Sequence, residues 1–153
     1  MTHTQSGRAA LLVVLLVGLF GGLLAAAPTA AAATKVRIKA AYYDSPGADT
    51  GSNNSLNAEY IVIKNYGSRG KVLTDWTLRD PDGHVYTFPT FKLRAGRSVK
   101  VHTGRGSDTG RHLYSGEGWY VWNNTGDVAK LKKPGGTTVD RCQWDGGSRY
   151  ETC

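Results

Sequence analysis

EYIVIKNYGSRGKVLTDWTLRDPDGHVYTFPTF, from Glu59 to Phe91, decides the fold. Its first seven residues are the most continuous apolar run outside the N-terminal leader. Ile61 and Ile63 fall on one face and Tyr60 and Val62 on the other, as expected of a central strand covered on both sides. Asn65-Tyr66-Gly67 ends it. Val72 and Leu73 lead to Trp76-Thr77-Leu78, where Trp76 and Leu78 share a face. Pro81-Asp82-Gly83 is a tight-turn signal, and Val85 to Phe88 returns as a short strand. Strand, turn, strand, turn, strand is half of a β-sandwich.

Working outward, the same grammar repeats. Lys35 to Ala40 alternates cation with aliphatic side chain, so Val36, Ile38 and Ala40 are expected inward and Lys35, Arg37 and Lys39 outward. Tyr43 to Ala58 is rich in turn formers and reads as a loop. Phe91 and Leu93 alternate before Ala95-Gly96 turns the chain. Ser98 to Thr103 sends Val99 and Val101 inward and Lys100 and His102 outward. A glycine-rich stretch to Gly118 precedes Trp119-Tyr120-Val121-Trp122, which reads as a strand with aromatics on both faces. Val128 to Leu131 and Thr138 to Trp144, with Val139 inward, complete the set. No segment sustains a 3.6-residue period. Eight or nine short strands separated by turns predict an all-β, immunoglobulin-like sandwich of two sheets.

The first 33 residues stand apart. Arg8, an apolar run and Ala31-Ala32-Ala33 have the pattern of a signal peptide cleaved before Thr34, with retention as a membrane anchor the alternative. The expected domain is residues 34–153, a secreted chain of about 120 residues without a transmembrane segment. Without Arg8, 18 basic side chains face 12 acidic ones, leaving +6. Such a balance favours soluble behaviour and attraction to polyanions. Export places Cys142 and Cys153 in an oxidising compartment, where they are expected to form a disulfide.

Candidate chemistry is sparse. His84, His102 and His112 lack metal-ligand spacing, and Asp80 and Asp82 flank a turn proline. There is no G-x-S-x-G elbow, and Gly104-Arg105-Gly106 lacks the residues that complete a phosphate loop. No catalytic residue and no cofactor is expected. Asp44, Asp49, Asn53, Asn57 and Glu59 could wrap a calcium ion, or could instead bond their own loop backbone. Asn53 and Asn123 head glycosylation sequons. One side of the Trp119 to Trp122 segment should fill the core. The other is either covered by the preceding loop or exposed as a platform. The candidate binding set is Trp119, Trp122, Tyr114, His112, Arg105, Arg111 and Lys100.

Taken in order, several segments resemble the lamin tail domain in its short secreted bacterial form. They are Glu59 to Asn65, Leu73 to Asp80, Gly83 to Pro89, Leu93 to Gly96, Val99 to Thr103, and Trp122 to Asp127 before Ala129 and Leu131. The resemblance implies an immunoglobulin-like sandwich and a non-catalytic accessory or surface module. The expected function is therefore non-enzymatic binding outside the cell. The expected partner is an anionic polymer or glycan (cell wall, extracellular DNA), or a protein at the cell surface. The alternative is a structural protein that assembles through its sheet edges.

Overall fold

A computed structural model describes residues 1–2 and 35–153. Arg8, the apolar run and the alanines of the expected cleavage site lie outside the described residues, as does His3. Eleven strands and one short helix are found among the described residues, rather than eight or nine strands. They are β1 Val36–Tyr42, α1 Asn53–Ala58, β2 Tyr60–Asn65, β3 Lys71–Val72, β4 Thr77–Arg79, β5 Val85–Thr87, β6 Lys92–Leu93, β7 Ser98–His102, β8 His112–Tyr114, β9 Asp127–Lys132, β10 Thr138–Trp144 and β11 Tyr150–Thr152.

Two sheets and a small ribbon result. One sheet runs β11-β1-β2-β7-β8, the other β10-β9-β4-β5, and β3 pairs with β6. Every pairing is antiparallel except β7 with β8. As expected, β2 is central, and Ile61, Ile63, Val99 and Val101 bury the inner face of its sheet against Leu78, Leu131 and Trp76. The indole of Trp144 stacks on Tyr43 at 4.9 Å and meets Trp122 edge-on at 5.9 Å. Its Nε1 donates to the carbonyl of Asn123 at 2.8 Å, so the buried indole leaves no polar atom unmet.

The alternation of β1 breaks at Lys39. Ile38 pairs with Ile63 and Ala40 with Val62, leaving Lys39 as the extra residue of a bulge. Ala40, expected inward, therefore takes the outward phase, and Ala41 and Tyr43 fill the core instead. The two sheets meet where β1 passes β10. There the Ile38 amide donates to Asp140 Oδ2 at 2.8 Å, and Arg37 Nη1 donates to the Val139 carbonyl at 3.0 Å. Val139 is partly buried against the core, beside a bulge of its own strand.

Three elements depart from the expected outline. The Tyr43 to Ala58 loop contains α1, capped by Ser52 and anchored by the buried Leu56. The glycine-rich stretch contains β8, and the tail contains β11. Trp119 to Trp122 is irregular chain and not a strand.

Cys142 and Cys153 form the expected disulfide, with Cα atoms 5.5 Å apart, and it fastens β11 to β10. Closing a loop of 11 residues restricts the unfolded chain by about 2 to 3 kcal/mol. The double variant Cys142→Ser/Cys153→Ser should lose that much unfolding free energy in urea. A loss below about 1 kcal/mol would show that β11 is held by its pairing with β1 alone.

Candidate functional site

The outward face of the five-stranded sheet carries an unusual row. Cα pairing aligns Tyr150 with Tyr42, Tyr42 with Tyr60, Tyr60 with His102, and His102 with Tyr114. Each strand therefore contributes one ring to a single line. The rings stack on one another: Tyr150 to Tyr42 at 5.2 Å, Tyr42 to Tyr60 at 4.4 Å, and His102 to Tyr114 at 5.0 Å. Tyr60 to His102 is tilted at 5.2 Å. Strand spacing of about 4.8 Å sets this repeat, because cross-strand neighbours on one face sit one strand apart. Gly106 lies over the Tyr114 ring so closely that a Cβ there would strike it.

Cations surround the column. The outward positions of these strands include Arg37, Lys39, Lys64 and Lys100 and no carboxylate. Lys100 Nζ lies 4.0 Å from the centre of the Tyr60 ring, and Lys64 Nζ lies 4.7 Å from that of Tyr66. These contacts hold the ammonium groups in place without neutralising them. At the β8 margin the face runs into a groove of about 850 Å³. Lys92, Arg94, Arg97, Arg111 and His112 line it, with Asp108 the one carboxylate. None of these groove cations has an ion-pair partner among the described residues, whereas Arg37 on the sheet face lies 4.0 Å from Asp140 Oδ1.

His102 joins column and groove. Its Nδ1 lies 2.7 Å from the Asn57 carbonyl, which can only accept, so Nδ1 carries the hydrogen. Its Nε2 then accepts from His112 Nδ1 at 2.9 Å. Burial pushes the His102 pKa down against the opposing effect of the Asn57 hydrogen bond, so the ring is held neutral.

Of the expected binding residues, Lys100, Arg111, His112 and Tyr114 are gathered around this β7–β8 margin. Arg105 is exposed, with its backbone pinned by Asn53 and Asn57 of α1. Trp119 is 62% exposed and lies against Gly51, whose positive φ and lack of a Cβ admit the ring. Trp122 must be corrected: at 6% exposure it belongs to the core and offers no platform. Tyr42, Tyr60 and Tyr150 were not among the expected residues. Each lies at a strand end in sequence, and only the register brings them together.

Each of the five side chains considered for calcium makes at least one hydrogen bond within the protein, while Asn57 Oδ1 and Glu59 Oε2 have no partner among the described residues. Asn53 and Asn57 hold Arg105, and Asn124 reaches both Asp44 and Asp49. Glu59 is wholly buried, where its Oε1 accepts from Thr103 Oγ1 at 2.5 Å, Val121 N at 2.9 Å and Trp122 N at 3.3 Å. No group of three or more His, Cys, Asp or Glu side chains able to hold a metal occurs among the described residues. The sequon asparagines are committed as well, Asn53 to Arg105 and Asn123 to Asp82 and Asp127. His84 and Asp80 do the turn work expected of them. The Asp80 carboxylate accepts from the Gly83 and His84 amides and from the His84 ring.

Two layered sheets with a disulfide-tied tail and a cationic, aromatic outer face define a β-sandwich of the immunoglobulin-like kind. A family model described as Lamin Tail Domain matches residues 29–146, and the chain belongs to that family. A comparison with curated proteins finds no match. Among the described residues, no helix is long and apolar enough to cross a membrane.

Two outcomes follow for the buried groups. Desolvation raises the Glu59 pKa from 4.5 to about 7, outweighing its three hydrogen bonds. The folded state then holds the proton more tightly than the unfolded state does. Its contribution is complete below pH 4.5 and is lost as pH rises toward and through 7, on the order of 3 kcal/mol. Urea unfolding across this range should show that decline, and Glu59→Gln, which keeps an acceptor for the three donors, should flatten it. Trp122→Ala should lower stability by about 3 to 5 kcal/mol, against about 0.5 kcal/mol or less for Trp119→Ala. Equal effects would contradict the assignment of Trp122 to the core.

Proposed function

We propose that the chain is an exported, non-catalytic binding module whose cationic sheet face and adjoining groove engage an anionic polymer at the cell surface. The observation that carries this reading is the set of cations without an ion-pair partner among the described residues: Lys92, Arg94, Arg97 and Arg111 around one groove, continued by Lys100 and Lys64 on a sheet face whose outward strand positions carry no carboxylate. Like charges repel across such a surface, and a polyanion relieves that repulsion while releasing its own counterions. Family membership is compatible with an interaction module.

Assembly through sheet edges has less support. β5, β8 and β11 are margins of only three residues each, too short to template much pairing. The longer margin, β10, is engaged by Arg37 and Ile38 of β1.

Binding to polygalacturonate, measured at rising sodium chloride, should weaken steeply. The triple variant Arg94→Gln/Arg97→Gln/Arg111→Gln should bind at least tenfold more weakly at low salt. Its logarithmic salt slope should fall by about one for each contact removed. The substituted side chains are exposed, so the circular dichroism spectrum should not change. Unaltered affinity and slope would remove the groove from the site.

A further inference from the structure

The geometry points to an anionic sugar polymer, rather than single-stranded nucleic acid, as the occupant of this face; the inference rests on the polyanion reading above. Single-stranded nucleic acid is gripped by free aromatic faces on which bases lie flat. This column has almost none to offer. Tyr42 is covered on one face by Tyr60 and on the other by Tyr150, and Tyr60 by Tyr42 and the Lys100 ammonium. His102 is bracketed by Tyr60, His112 and Tyr114. A nucleic acid here would keep its phosphate contacts and lose its stacking.

What the column presents is hydroxyl groups. The phenol oxygens of Tyr42, Tyr60, Tyr114 and Tyr150 have no hydrogen-bond partner among the described residues. Beside the β11 end of the row lies a trough of about 560 Å³, within the range of small-ligand sites. Tyr42, Tyr60 and Tyr150 form its aromatic wall, and Asp44, Ser148 and Arg149 supply its polar groups. Tyr150 ends the stack. With no further ring beyond it and 49% exposure, it can lie against the C–H face of a sugar. Arg149 has no ion-pair partner among the described residues and lies where a sugar carboxylate can be met in bidentate fashion. The sugar rings of the polymer then use the trough and the phenol row, and its charges use Lys100, Arg111 and the groove.

The test compares three probes on the full-length exported protein: a galacturonate oligomer, its methyl ester, and an oligothymidylate of matched charge. The galacturonate oligomer should bind most tightly, and its neutral ester at least tenfold more weakly. Tyr150→Ala and Arg149→Gln should each weaken galacturonate binding about tenfold and leave oligothymidylate unchanged. Tyr150→Phe, which keeps the ring, should fall between Tyr150→Ala and the wild type and guards against misfolding. Tighter oligothymidylate binding that Tyr150→Ala weakens would assign the face to nucleic acid and overturn the inference. Equal binding of both polyanions, with both variants silent, would overturn it while leaving the polyanion reading intact. Absence of binding to either polyanion at low salt would remove both.

Discussion

One buried carboxylate arranges the end of the sandwich on which the outer face depends. Glu59 stands between α1 and β2 with its side chain sealed from solvent, and its Oε1 gathers a hydroxyl and two backbone amides from distant parts of the chain. Those amides belong to Val121 and Trp122, which have no neighbouring strand to bond. A buried backbone N–H must find an acceptor, and here a side chain serves in place of a sheet ladder. This is why the segment from Trp119 to Trp122 drops Val121 and Trp122 into the core without being a strand. The interaction is finely balanced, because Oε2 has no partner and burial favours the protonated acid. Local hydrogen bonding has thus replaced β-pairing at a site where the chain changes layer.

The outer face follows from what lies on the inner one. Burying Ile61, Ile63, Val99 and Val101 fixes the phase of β2 and β7, and the alternate residues have nowhere to go but outward. Tyr60, Lys64, Lys100 and His102 therefore occupy set positions on a strand-width grid. The Lys39 bulge is necessary to this arrangement. Without its extra residue, Tyr42 would take the inward phase and the column would break between β2 and β11. A feature that interrupts the core pattern of β1 is thus what completes the external one.

The chain's alternation disclosed the inner layer well. Val36, Ile38, Ile61, Ile63, Trp76, Leu78, Val99 and Val101 all lie where period-2 reading puts them. The cysteine pair and the Asp80–His84 turn were legible too, since each depends on neighbours in sequence. What escaped was short or non-local. A six-residue helix has too few turns to show a 3.6-residue period, and three-residue strands such as β8 and β11 barely alternate once. The bulge at Lys39 leaves no mark in composition. Trp122 suits a platform only if Trp119 to Trp122 is a strand with aromatics on both faces; the chain there is irregular and turns Trp122 into the core. Part of the proposed binding set, Lys100, Arg111, His112 and Tyr114, is legible in the sequence as outward or loop cations and aromatics. Its partners Tyr42, Tyr60 and Tyr150 become one feature only when three separate registers are known.

Charge and shape have different ranges on this surface. The groove arginines are exposed and unpaired, so their field extends over about a Debye length, roughly 8 Å at physiological ionic strength. They can draw in any polyanion and cannot tell one from another. Discrimination needs contacts that fail when the wrong ligand is present, and those are short-ranged. Rings already stacked on each other supply this by exclusion. A base arriving at Tyr60 finds one face against Tyr42 and the other under Lys100. Each cation–π contact is modest, about 0.5 to 1 kcal/mol at an exposed site. Displacing the Lys100 contact together with the ring–ring contacts of Tyr42, Tyr60 and His102 to seat a run of bases would offset much of what the stacking returns. On the proposed reading, the internal satisfaction of the column, rather than its total aromatic area, is what would make a generally cationic sheet a selective one.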